Sequence, residues 1–172
     1  QMCIRDSWEE IATVTANVTT YQNTGLAEST AYSYRVRAYN AAGNSAYSNT
    51  SSATTNATIP AAPSNLGATA VSSSQINLTW NDNSGNETGF RIERLNGATW
   101  EEIATVTANV TSYQNTGLAE STAYSYRVRA YNGAGNSAFS NTATATTNAT
   151  IPAAPSDLGA TAVSSSQINL AW

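Results

Sequence analysis

The chain repeats itself. Residues 8–80 recur as residues 100–172, a period of 92 with seven differences over 73 aligned positions. The differing pairs are Thr20/Ser112, Ala41/Gly133, Tyr47/Phe139, Ser51/Ala143, Ser52/Thr144, Asn65/Asp157 and Thr79/Ala171. A period of about 40 residues would suggest propeller blades, and about 20–30 a solenoid. A period of 92 suits a self-contained small β domain, and two near-identical neighbours point to recent duplication within a longer array.

The frame of the repeat follows from its prolines. Residues 147–156, and their copy at 55–64, carry two prolines and no alternating apolar pattern. Proline fixes φ and removes a backbone donor, so such a stretch is stiff and cannot sit centrally in a sheet. With these as linkers, residues 60–147 make one complete unit. Residues 8–56 then hold the later strands of a preceding unit, and residues 152–172 the first strands of a following one. Residues 1–7 match nothing later in the chain. Back-translated as CAG-ATG-TGT-ATA-AGA-GAC-AGN, they resemble the transposon end used as a sequencing adapter and are set aside as adapter-derived. Cys3, the single cysteine, goes with them. The repeat itself therefore offers neither a disulfide framework nor a nucleophilic thiol.

Within the complete unit, residues 66–70 and 75–80 alternate apolar and polar side chains at period two, the pattern of half-buried strands. Residues 90–94 alternate again, Asn96-Gly97 is a hairpin signal, and residues 100–106 return. Further strands are expected at 110–114, 124–131 and 138–147. Seven short strands without a helical pattern predict an all-β sandwich. Ile76, Leu78, Trp80, Phe90, Ile92, Tyr126, Val128 and Ala130 fall on inward phases, and Arg91, Glu93, Arg127 and Arg129 on outward ones.

These residues carry a resemblance. Pro63-x-x-Leu66, the Ile-x-Leu-x-Trp strand ending at Trp80, and Gly89-Phe-x-Ile92 are each similar to marks of a fibronectin type III domain. The most specific run is Leu118-x-x-x-Thr122-x-Tyr124-x-Tyr126-x-Val128-x-Ala130-x-Asn132, followed by Gly135 and Ser137. The resemblance implies a seven-stranded immunoglobulin-like β-sandwich, one complete unit flanked by two partial ones. It places Trp80 in the core between the sheets, gives Leu118 a structural role, and makes Tyr124 the tyrosine corner, whose hydroxyl bonds backbone a few residues upstream. Where the family usually has Pro-Gly between its leucine and threonine, this chain has Glu120-Ser121. The loop that carries Arg-Gly-Asp in adhesive family members is here Asn-Gly-Ala-Gly-Asn. Integrin binding is therefore not carried over.

Catalysis finds little support. Histidine and lysine are both absent, which removes the commonest general base and any Schiff-base amine. No Gly-x-Ser-x-Gly elbow occurs. Glu101 and Glu102 are adjacent in a strand, point to opposite faces and cannot flank one sugar. Asp82, Ser84 and Asn86 have the spacing of a calcium loop, but Glu87 stands where its glycine should be. Turn-forming Asx hydrogen bonds explain that segment better. No catalytic, cofactor-binding or metal residue is assigned. Trp100, with Tyr113, Tyr131 and Phe139, could offer a surface for stacking on sugars, although cross-strand packing explains aromatics on pleated surfaces as well.

A net charge of −4 without a basic stripe disfavours nucleic acid, and no window approaches the roughly 18 apolar residues of a membrane span. Only 10% of residues are charged, against about a quarter in typical domains. Seven Asn-x-Ser/Thr sequons, at Asn17, Asn49, Asn56, Asn77, Asn86, Asn109 and Asn148, follow from a composition this rich in Asn and Thr. The expected role is a structural spacer in a secreted or cell-surface bacterial protein. Its partners would be neighbouring domains of the same polypeptide. The alternative is a module that binds polysaccharide or a cell-surface protein through exposed aromatics, Trp100 first. Ile168, Leu170 and Trp172 would lack covering strands, so the full chain should be less soluble than residues 60–147 alone.

Overall fold

A computed structural model describes residues 8–172; the adapter-like segment and Cys3 lie outside the described residues. The chain divides into two compact units, with the boundary after Ala57. No helix occurs among the described residues.

In the first unit, β1 (Ala31–Tyr34) pairs antiparallel with β4 (Ser51–Thr54), and β2 (Tyr39–Asn40) with β3 (Gly43–Asn44).

The second unit is a sandwich. One sheet holds β5 (Ser64–Ala70), β6 (Gln75–Asn81) and β9 (Ser112–Thr116), in the order β5-β6-β9. The other is built on β7 (Gly89–Asn96), β8 (Thr99–Thr107) and β10 (Ala123–Asn132), with the short β11 (Gly135–Asn136) and β12 (Ala143–Thr146) both pairing with β10. Leaving aside the two-residue β11, these are the seven strands of an immunoglobulin-like sandwich, three facing four. A last hairpin, β13 (Gly159–Ser164) with β14 (Gln167–Ala171), forms a two-stranded sheet of its own.

The core fills the space between the two sheets. Ile76, Leu78, Phe90, Ile92, Tyr126, Val128 and Ala130 are fully buried, and Trp80 is 4% exposed. Leu66 and Leu118 belong to the same cluster. Burying each large apolar side chain is worth about 1.5–3 kcal/mol, the term that offsets chain entropy in a domain without cross-links. Trp80 and Phe90 meet across the sheets in a tilted ring contact, centroids 5.6 Å apart. Gly89 is required by close approach: a Cβ there would lie 2.1 Å from the Val106 carbonyl oxygen.

Three local features differ from the sequence reading. The β7–β8 turn centres on Gly97-Ala98, because Asn96 pairs with Thr99 and Gly97 takes φ +61. The left-handed residue, not the asparagine before it, sets the turn. The last strand is shorter than residues 138–147, since only Ala143–Thr146 pair regularly. Upstream, side chains complete the ladder: Ser137 Oγ accepts from Ala130 N at 2.9 Å and Ser140 Oγ from Val128 N at 3.1 Å. Asn141 then bridges to β5, accepting from Leu66 N and donating to Leu66 O, both at 2.9 Å. Finally Glu93, on an outward phase, is only 6% exposed, because two arginines close over it.

Candidate functional site

The outer face of the four-stranded sheet is the most chemically dense surface. Antiparallel register sets Arg127 opposite Glu93, and Arg129 opposite Arg91. The like-charged pair is relieved by flanking carboxylates. Arg129 reaches Glu93 at 3.3 Å and Arg91 reaches Glu102 at 3.2 Å. Arg127 grips Glu93 Oε2 through Nε at 2.8 Å and Nη2 at 2.6 Å.

Aromatic rings lie against these arginines. The Arg127 guanidinium lies 4.4 Å from the Trp100 ring centroid and 3.7 Å from that of Phe139, and Arg129 is 4.8 Å from the latter. Arg91 sits 4.7 Å over Tyr131. Such cation–π contacts contribute about 0.5–1 kcal/mol each where exposed, more where desolvated. The four aromatics of the sequence reading do not form one platform. Trp100, Phe139 and Tyr131 lie on this face with guanidinium groups against their rings, whereas Tyr113 sits on β9 of the other sheet, packed on the core. Trp100 itself is half-buried.

The tyrosine region is built from polar side chains. Tyr124 Oη accepts from Ala119 N at 3.0 Å, five residues upstream, which is the geometry of a tyrosine corner. Thr147, 3% exposed, ties the same corner from the far end of the unit. Its hydroxyl accepts from Thr122 N at 3.0 Å and donates to Ala119 O at 2.6 Å. Tyr126 is fully buried with Asn115 Nδ2 donating to its hydroxyl at 2.9 Å, and burial pushes its phenol above the ordinary tyrosine value. Neither Asn115 nor Thr147 was singled out from sequence. Thr147 sat in a linker by composition, and Asn115 was one amide among many.

In the loop before β7, Asp82 Oδ1 accepts from Ser84 N at 3.0 Å, and Ser84 Oγ donates to Asn86 Oδ1 at 2.9 Å. Oxygens that a cation would need are spent on each other. Glu87 is 9% exposed and accepts from Asn109 N at 3.3 Å. Among the described residues, no group of three or more Asp or Glu stands where it could hold a metal ion.

The face described is a packed lattice of arginines, carboxylates and rings on an immunoglobulin-like sandwich. Comparison with known proteins makes the class specific. The fibronectin type III domain model matches residues 3–54 and 61–146, so the chain belongs to that family. It is 41% identical over 176 aligned residues to exoglucanase B of Cellulomonas fimi, covering 92% of this chain and 16% of that protein. It is 38% identical over 145 residues to chitinase A1 of Niallia circulans, covering 76% of this chain and 20% of that protein. The chain thus spans a fifth or less of the length of these two relatives. Among solved structures, the extracellular domains d3–d4 of rat CD45 share the fold, with a TM-score of 0.60 at 20% identity over 86% of this chain and 80% of that one.

Proposed function

We propose that this chain is a non-catalytic spacer, a stretch of tandem sandwiches that sets the distance between other modules of a longer bacterial protein. Residues 60–147 act as one complete unit, with partial units at 8–56 and 152–172. Strands of 7–10 residues in β5, β6, β7, β8 and β10 give a unit roughly 20–30 Å long.

The observation that carries this reading is that the charges and rings of the sheet's outer face engage one another. Glu93 and Glu102 hold arginine partners. The rings a sugar would stack on, Trp100 above all, already carry guanidinium groups. Two relatives named for polysaccharide hydrolysis support an extracellular setting, since polymers of that kind do not enter cells. Their length beyond the matched region supports neighbouring domains of the same polypeptide as the partners.

The test is co-sedimentation of the purified chain with insoluble cellulose and chitin, alongside Trp100→Ala. The chain is expected to stay in the supernatant with both polymers. Retention that Trp100→Ala abolishes would replace the spacer reading with glycan binding through the aromatic face.

A further inference from the structure

The linker stretches of the repeat are docked on the sandwich at both of its ends. At the start, Thr58 O accepts from Asn132 Nδ2 at 2.8 Å and from Asn86 Nδ2 at 3.2 Å. Asn132 Nδ2 also donates to Asn86 O at 3.0 Å, locking the β10–β11 turn to the loop before β7. Ile59 packs over Gly135, 3.6 Å from where a Cβ would stand. Asn83 Nδ2 donates to Ala62 O at 2.8 Å, and Pro60 and Pro63 are buried.

At the other end, Asn148 N donates to Ser72 O at 3.1 Å and Asn148 O accepts from Ser121 N at 3.4 Å. Thr150 then gives both its donors to one carboxylate: its amide reaches Glu120 Oε2 at 2.7 Å, and its hydroxyl donates to the same oxygen. Glu120 stands where the resembling family usually has proline, a side chain that could accept no such bond.

Thr58 and Thr150 occupy the same position of the 92-residue repeat. The docked chain therefore spans one full period. We propose that this repeat contains no free tether: Glu120 latches the outgoing linker at Thr150, and Asn86 and Asn132 hold the incoming linker at Thr58, so every residue of the period belongs to folded structure. This deepens the spacer reading and rests on it, because a spacer without a slack segment fixes distance, whereas one with a flexible linker only bounds it.

Amide hydrogen exchange of the full chain, read by mass spectrometry, tests the latch. A peptide extending through Asp157 is distinguished from its copy, which carries Asn65. Exchange at Thr150 is expected to be at least about tenfold slower than in an unstructured chain. Glu120→Ala should abolish that protection, while Thr147, whose amide bonds Thr122 O, stays protected. Loss at Thr147 as well would mean a damaged corner. Glu120→Gln, which keeps an acceptor without the charge, then decides, and only a weakened Thr150 with an intact Thr147 supports the latch. Free exchange at Thr150 in the unaltered chain, or protection that neither variant changes, overturns it. Glycan retention would sink the spacer reading and leave these outcomes untouched, so the two failures are distinguishable.

Discussion

Residues 8–57 and their copy at 100–149 share almost every residue, yet the two copies bury different things. Val128 is fully buried, whereas its copy Val36 is 69% exposed. Polar bonds are nevertheless reproduced nearly atom for atom. Ala27 N donates to Tyr32 Oη at 3.0 Å, as Ala119 N does to Tyr124 Oη. Thr55 Oγ1 accepts from Thr30 N at 3.0 Å and donates to Ala27 O at 2.6 Å, the distances found at Thr147. Arg35 lies against both Trp8 and Tyr47, as Arg127 does against Trp100 and Phe139. The bonds that survive close over at most 28 residues. What is missing is the non-local half, since residues 8–57 contain no copy of β5, β6 or β7. Turns, corners and arginine stacks are thus written locally. The core is a property of the whole period.

The sharpest way to break this comparison is to cut the same residue in a covered and an uncovered copy. Leu78 is fully buried, and its copy Leu170 is 57% exposed. Leu78→Ala is expected to cost about 2–5 kcal/mol, the transfer term plus the cavity it leaves. Leu170→Ala should change stability by no more than about 0.5 kcal/mol. Urea unfolding followed by far-ultraviolet circular dichroism reads both, and equal losses would show that the last hairpin is covered in solution.

A smaller difference is expected at the corner threonine. Thr147→Val leaves Thr122 N and Ala119 O without their buried partner, which costs about 1–3 kcal/mol. Thr55→Val removes the same two bonds, but water reaches the less buried copy and can replace them, so the loss should fall nearer 0.5 kcal/mol. Exchange at the Thr122 and Thr30 amides separates the two. Equal effects would mean that local bonding, not burial, sets the strength of the corner.

The strands of the complete unit and its inward-facing core were legible in sequence, because period-two alternation survives unbroken through residues 75–80, 90–94 and 124–131. The last strand was not legible in detail. Its serines and Asn141 stand in for backbone partners, and a side-chain bond to an amide leaves no periodic trace. The burial of Glu93 was also hidden, since alternation marks an outward phase but not that Arg127 and Arg129 will close over it. The outer-face aromatics were visible as residues. Their engagement was not, because it depends on how β10 and β8 pair on either side of β7, which brings Arg127 near Trp100, and on the stretch between β11 and β12 that carries Phe139.

Bonds at the two ends of the sandwich differ in kind, and acid should expose it. At the outgoing end Thr150 donates to the Glu120 carboxylate, and at the incoming end the side-chain amides of Asn86 and Asn132 donate to Thr58 O. The hydrogen bonds from Thr150 hold the Glu120 carboxyl below the usual glutamate value, which is about 4.3. A group whose pKa is depressed on folding contributes stability above its unfolded value, and that contribution is lost as pH falls through the folded value. The Thr150 amide proton shift is therefore expected to be flat from neutral pH down to about 5 and then to move with a midpoint below about 4.3. Glu120→Gln should remove the titration. The side-chain amide protons of Asn132 donate to two carbonyls, Thr58 O and Asn86 O, and should stay put over the same range. If both sets of protons moved together, acid would be loosening the sandwich as a whole, and the difference between a bond to a carboxylate and a bond to a carbonyl would have no consequence for the linker.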